Sequence, residues 1–479
     1  LRYAWPGVRA SPGFTVAVVG TLALGIGANA AMLAIVDRLL FRPPAYLEAP
    51  ERVHRVYLEQ TYRGEVQWYE NMAYATYLDL ARSTTAFDRV GAVFDQEMVV
   101  GTGDDAAEMR VAAISASIWD FFAAPPALGR YFGPSEDSLP VGSAVTVLSH
   151  AFWQSRYGGR PDVLGQQLQT GSLSYTIIGV TPEGFGGPER IPAVAFIPIT
   201  SFANHRQYLD DPSDWYRTYS WQWMEMLVRR KPGISHEVAT ADLTRAYQQS
   251  YLAERERHPN TPPPEIARPG VVAAPIQSER GPNQSGVAKV ASWVTGVAVV
   301  VLLIASANVA NLLLARALGR RREVALRLAL GVGRGRLFAQ LLTESLLLAA
   351  LGGLVGLGVG QLGTMVLSRL FLPDLPNVTS MADWRTFGFI ALATLLTGVL
   401  TGLAPILQAR RADITGELKL GSRGGTVRRS RGRDALLLVQ GALSVMLLVG
   451  AGLFVRSLDR VRGLRLGYDV DRVSYVETR

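Results

Sequence analysis

Five stretches of this chain are apolar and carry no Asp, Glu, Lys or Arg: Phe14 to Val36, Val290 to Leu314, Ser345 to Ser368, Thr386 to Gln408 and Ala435 to Val455. A hydrocarbon core about 30 Å thick needs roughly 20 residues of helix to cross it. Inside it only a helix or a closed barrel satisfies every backbone polar group. The runs therefore commit the chain to a membrane α-helical fold with five transmembrane helices. Composition agrees, since 48% of the 479 residues are hydrophobic and mean hydropathy is +0.16. The chain has no cysteine, which excludes a disulfide framework, a thiolate zinc site and a cysteine nucleophile within it.

The net charge of +8 allows two acidic partners, nucleic acid or a membrane surface, and the position of the charges separates them. Between spans two and three lie Arg316, Arg320, Arg321, Arg322, Arg327, Arg334 and Arg336. Between spans four and five lie Arg410, Arg411, Lys419, Arg423, Arg428, Arg429, Arg431 and Arg433, whereas between spans three and four lie only Arg369 and Arg385. Short cationic loops are retained in the cytoplasm. The pattern puts the N-terminus inside, residues of about 44 to 285 outside and both basic loops inside, with the lipid bilayer as partner and no nucleic acid. A cleavable signal peptide is the alternative for span one, because Ala28-Asn29-Ala30 resembles a cleavage site. The apolar run continues through Met32, Leu33 and Ile35, which favours an uncleaved anchor.

The segment between spans one and two is long enough to fold with its own core. Strand-like runs at Val53 to Leu58, Ala144 to Leu148, Tyr175 to Val180 and Ala195 to Ile199 mix with helix-like runs at Tyr74 to Ala81 and Val238 to Ala253. It reads as a large α+β extracytoplasmic domain. Asn260 to Pro275 reads as an irregular stalk returning to the membrane. The aromatic cluster Trp215, Tyr216, Tyr219, Trp221 and Trp223 fits core packing or a membrane-proximal belt better than a binding surface. His54, His150, His205, His236 and His258 show no metal-ligand spacing, and neither a zinc site nor a catalytic triad emerges. The acidic pairs Asp104-Asp105 and Asp210-Asp211 lack the ligand spacing of a calcium loop.

Ion-coupled transporters need an ionisable group inside the bilayer, and the five runs contain none. No Gly-x-x-x-x-Gly-Lys-Ser/Thr phosphate loop occurs either, so ATP hydrolysis would fall to another polypeptide, and no cofactor or catalytic residue is expected here. The loop after span two continues as Arg322-Glu323-Val324-Ala325-Leu326-Arg327-Leu328-Ala329-Leu330-Gly331. This predicts a helix on the membrane surface, with Glu323, Arg327 and Arg334 offering charge to a partner; a plain basic loop on anionic headgroups is the alternative. In span three Gly352, Gly356 and Gly360 recur every fourth residue, a face on which helices approach closely. Asn308 and Asn311 in span two are suited to hydrogen bonds across helices.

The stretch Leu302 to Arg316, then Arg321-Arg322-Glu323 through Gly331 and Leu341-Leu342-Thr343-Glu344-Ser345, resembles the FtsX-type permease domain, as does Gly402-Leu403-Ala404-Pro405 followed by Ala409-Arg410-Arg411. Ser11-Pro12-Gly13-Phe14, Ala23 to Asn29, Val147-Leu148-Ser149, Trp153, Gly165 and Ile178-Gly179-Val180 resemble the MacB-type first span and periplasmic domain. The resemblance is closest to the duplicated, acidobacterial-type ABC permeases. It implies residues 1–43 as N-terminal segment and first span, 44–285 as MacB-like periplasmic domain, and 286–408 as FtsX-like permease with coupling loop 315–340. It further implies 409–434 as basic linker, 435–458 as span five and 459–479 as the start of a second periplasmic domain, so that the sequence holds one half of a longer permease.

The same resemblance implies a multi-pass protein of the bacterial inner membrane that works by mechanotransmission. Its coupling helix, comprising Arg322, Glu323, Leu326, Arg327, Leu328, Leu330 and Gly331 with Arg334 and Arg336, would dock on a separate ABC ATPase subunit. Efflux or extraction of an amphiphilic substrate is the expected activity, within a dimer or pseudo-dimer of permease halves. Signalling to a periplasmic partner such as a cell-wall hydrolase is the alternative.

Overall fold

The computed structural model describes residues 11–37, 41–189, 191–202, 215–277, 281–283, 286–319, 333–371, 384–409 and 431–462. The elements run α1 (Pro12–Val36), β1 (Val53–Tyr62), β2 (Glu65–Tyr69), β3 (Met72–Ala73), α2 (Tyr74–Ser83), β4 (Phe87–Val100), β5 (Ala107–Ile114), β6 (Leu128–Gly129), β7 (Val145–Leu148) and α3 (His150–Tyr157). They continue with β8 (Gln167–Thr170), β9 (Leu173–Val180), β10 (Ala195–Pro198), β11 (Gln222–Arg230), α4 (His236–Arg257), β12 (Gly270–Pro275), α5 (Gly286–Gly319), α6 (Arg334–Phe371), α7 (Trp384–Ala409) and α8 (Arg431–Arg462). Two units result. A sheet unit comprises Val36–Ala291 with Leu372–Pro376, and a helical unit holds Leu1–Ile35, Ser292–Phe371 and Asn377–Arg479.

The sheet unit is built on one mixed sheet in the order β12-β1-β11-β4-β5-β10-β7-β9-β6, with β2 on β1, β3 on β11 and β8 on β4 and β9. Most neighbours are antiparallel, while β10 runs parallel to β5 and β7 parallel to β9. Alternation sends Val56, Leu58, Met226 and Val228 to one face, where Tyr77, Leu80, Leu243, Ala246 and Tyr247 of α2 and α4 cover them. The opposite face carries Val53, Val93, Ile114 and Leu227 beneath Trp119, Phe121, Phe132 and Phe185, with Trp119 stacked on Tyr131 at 3.9 Å. α4 forms because its apolar residues recur at three and four, from Ala239 through Leu243, Ala246 and Tyr247 to Tyr251. The Ser235 side chain caps it by accepting the Val238 N–H.

The aromatic cluster is core. Trp215, Tyr219 and Trp223 are buried, Tyr216 and Trp221 half-buried, and Trp221 stacks on Trp223 at 4.7 Å. The stretch Asn260 to Pro275 departs from the irregular stalk expected of it. Pro264–Ala267 makes one helical turn, and β12 pairs with β1 from His54↔Pro275 to Glu59↔Gly270. The prolines permit this because β12 is an edge strand.

On the face away from α2 and α4 a charged network lies beside the apolar packing. Arg55, 1% exposed, pairs with Glu189 at 2.6 Å and with Glu225. Burial opposes its charge, but the neighbouring carboxylate of Glu189 prevails and raises its pKa. Asp95, which lies 3.9 Å from Arg110, is pushed well above the usual carboxylate range by burial first and then by Glu189.

Among the described residues, the helical unit holds five helices long and apolar enough to span a membrane, with candidate spans Pro12–Val36, Thr295–Arg316, Phe338–Val366, Trp384–Leu403 and Leu437–Ser457. The third differs from the uncharged run expected from Ser345 onward: it starts earlier and takes in Glu344, which is tolerated because Arg316 pairs with it at 3.1 Å.

His54 and His236, far apart in sequence, meet with ring centroids 5.0 Å apart. Burial, then His236 and Arg230, lower the His54 pKa to about 4. The unfolded chain, titrating near 6.5, binds the extra proton between these values. Stability is therefore full above pH 6.5 and is lost as pH falls toward about 4. His54→Gln should remove about 2 kcal/mol of this acid loss, measured as the difference between urea midpoints of the two proteins at pH 7 and pH 4.5.

Candidate functional site

Among the described residues of the helical unit, small residues form a seam where α1, α5, α6 and α7 meet. Along α1, Val18, Leu22, Ile26 and Ala30 are fully buried at four-residue spacing. Against this stripe α6 presents Gly352, Gly356 and Gly360, all buried. A Cβ at Gly352 would stand 2.7 Å from the Leu22 Cβ, and one at Gly356 would stand 3.3 Å from the Ala23 carbonyl. On α1 itself, a Cβ at Gly27 would meet the Gly356 carbonyl at 2.9 Å, and one at Gly25 would meet Ala305 of α5 at 2.8 Å. α7 joins through Gly398, where a Cβ would meet Leu346 at 2.9 Å, and through Ser345, whose hydroxyl donates to the Gly398 carbonyl at 3.0 Å.

Polar side chains stitch the same helices. Asn29 of α1 donates to the Ala298 carbonyl of α5 at 2.7 Å. Gln440 of α8 donates to Asn308 Oδ1 at 2.5 Å and accepts from Asn311 at 3.2 Å. α8 otherwise shows its apolar window outward, with Leu438 and Leu448 largely exposed. At one end of the seam the Arg316 guanidinium faces Glu344, donates to Ser11 Oγ at 2.8 Å and lies over the Phe14 ring at 4.5 Å.

Of the surface-helix residues, Arg322, Glu323, Leu326, Arg327, Leu328, Leu330 and Gly331 lie outside the described residues. Arg334 opens α6, and Arg336 is exposed, its backbone N–H donating to the Gly333 carbonyl. Sequence reasoning passed over the Arg316–Glu344 pair because Glu344 sits directly before an uncharged run; the two opposite charges flanking adjacent spans were the available signal. Among the described residues no group of three or more His, Asp or Glu side chains could hold a metal ion.

The chain combines a unit of long apolar helices with a large mixed-sheet unit inserted between the first and second of them. The model for the MacB-like periplasmic core domain matches residues 15–246, and that for the FtsX-like permease C-terminal matches residues 295–414. The chain thus carries a MacB-like periplasmic core domain and an FtsX-like permease domain. It is 32% identical over 133 residues to the uncharacterized ABC transporter permease YknZ of Bacillus subtilis, covering 27% of this chain and 32% of that one. It is 24% identical to the pyoverdine export ATP-binding/permease protein PvdT of Pseudomonas syringae, covering 60% and 39%, and 26% identical to the macrolide export ATP-binding/permease protein MacB of Nitrosomonas europaea, covering 60% and 39%. The chain thus spans well under half the length of these curated relatives. Among solved structures, the periplasmic region of MacB from Actinobacillus actinomycetemcomitans is similar over 48% of this chain and 93% of that one, with 12% identity and a TM-score of 0.33.

Gly27→Ala should cost about 1–3 kcal/mol, because the Gly356 backbone cannot give way. Gly358→Ala, which meets nothing within 4 Å, should stay within about 0.5 kcal/mol of the parent. Thermal unfolding of the two variants in detergent compares them directly.

Proposed function

We infer that this chain is the membrane-spanning part of an ATP-driven machine of the bacterial inner membrane. An ATPase on a separate polypeptide docks on the basic segment between α5 and α6, and its cycle moves the helices and, with them, the extracytoplasmic domain. The observation that carries this is the charge pattern: seven arginines from Arg316 to Arg336 crowd between two spans, beside an apolar-rich sequence suited to a surface helix. That pattern supports a cytoplasmic N-terminus, cytoplasmic segments at 315–340 and 409–434, and a periplasmic domain over 44–285.

The absence of a phosphate loop from the 479 residues supports a partner that supplies the hydrolysis. Glu344, the carboxylate in the third candidate span, is engaged by Arg316 and is poorly suited to carry a coupling ion. Two relatives are named for export of pyoverdine and of macrolides, which supports an amphiphilic substrate expelled or extracted by mechanical movement. A second permease half is the natural neighbour of the exposed apolar faces of α5 and α8, as dimer or pseudo-dimer.

Arg322→Glu combined with Leu328→Asp should reduce co-purification of the ATPase at least about tenfold, the effect of a little over 1.4 kcal/mol, and abolish its stimulation. Unchanged co-purification and stimulation would remove the docking assignment. Activation of a periplasmic hydrolase with no measurable efflux would instead make the chain a signalling scaffold.

A further inference from the structure

We propose that Arg316 and Glu344 form a strut that ties the end of α5 to α6 and fixes the beginning of α1 to both. Both are then positioning residues for the coupling movement, an assignment that rests on the docking reading above. Arg316 stands near the end of α5, and Glu344 lies on α6 beyond its first turns. Their 3.1 Å contact, with side chains only 14% and 10% exposed, joins the last turn of α5 to α6 nearly three turns beyond its start.

The same guanidinium holds a third helix. It donates to Ser11 Oγ at 2.8 Å, directly before α1, and its carbon lies 4.5 Å from the Phe14 ring centroid. A planar fork with several donors can face a carboxylate, a hydroxyl and a ring at once, which an ammonium cannot. A fourth helix joins one residue on, where Ser345 donates to the Gly398 carbonyl of α7. A buried pair of this kind contributes little net stability against well-packed apolar residues. Its value lies in position: displacement of the segment moves α5, α6 and the start of α1 as one block, and the glycine seam carries that movement along α1 and α6.

The chain lacks native cysteine, and a side chain added at Gly13 or Gly335 meets nothing within 4 Å. Spin labels on Gly13→Cys and Gly335→Cys, in the full chain in lipid nanodiscs, therefore report the distance between the start of α1 and the start of α6. The parent should give one narrow distribution. Glu344→Arg alone should broaden it and accelerate tryptic cleavage within Arg320 to Arg336 about fivefold or more, since cleavage follows the population of the open form. The swap Arg316→Glu/Glu344→Arg should restore protection to within about twofold.

Because a lone reversed charge can unfold the bundle, Arg316→Gln/Glu344→Gln removes the strut without leaving an unpaired charge, and it too should broaden the distribution. Arg316→Lys should keep the segment protected yet broaden the distance, because the contacts to Ser11 and Phe14 are lost. Parent-like cleavage and distances in the Gln pair, or a swap as labile as the single reversal, would overturn the proposal. None of these measurements involves the ATPase. Loss of the docking assignment with the strut verified would therefore refute that assignment and the coupling role that rests on it, and leave the strut itself standing.

Discussion

Two leucine-rich helices gain little by touching in a bilayer, because acyl chains offer the same apolar contact that the partner would. What remains is close backbone approach and hydrogen bonding, and the helical unit relies on both. Gly27, Gly352 and Gly356 let α1 and α6 come within backbone distance, so dispersion accumulates along the seam. Asn29 and Ser345 add bonds to backbone carbonyls of α5 and α7. Contacts of this sort are short and stiff, so the four helices they join move more readily as a body than as sliding rods. α8, tied through Gln440 to Asn308 and Asn311, is held by polar contacts at one level.

The sheet unit is held by the opposite physics. Water surrounds it, so burial of Trp215, Tyr247, Phe121 and Phe196 is favourable in proportion to the apolar area removed. A costly feature is the network of Arg55, Glu189, Glu225 and Asp95 beside that core. Such a network disfavours alternative pairings of β1 and β11, since a one-residue slip would bring Arg55 to the apolar face beneath α2 and α4.

The spans were legible because membrane helices obey a length rule that composition alone reveals, and α4 was legible because its apolar spacing repeats from Ala239 to Tyr251, over about three turns. β4 was not: Asp88, Arg89, Asp95 and Glu97 interrupt the pattern expected of a central strand, and only the structure shows Arg229 and Arg110 answering Asp88, Asp95 and Glu97. β12 hid behind its neighbouring prolines, because edge strands tolerate what central strands do not. The His54–His236 contact and the Arg316–Glu344 pair join residues distant in sequence, and spacing rules carry no information about such encounters. The segment Arg322 to Gly331, where charge and apolar pattern speak most clearly for function, lies outside the described residues.

The first long strand of the sheet unit pairs with its last. With His54 opposite Pro275 and Glu59 opposite Gly270, the polypeptide arrives at and departs from this unit at the same end of one antiparallel ladder. Spreading the two ends apart would peel the ladder one hydrogen bond at a time, beginning at His54. A force applied to both ends together along the strands would drag the whole sheet without loading those bonds against each other. The unit is thereby resistant to traction in one direction and fragile in another, a mechanical anisotropy set by topology and independent of how tightly its core is packed.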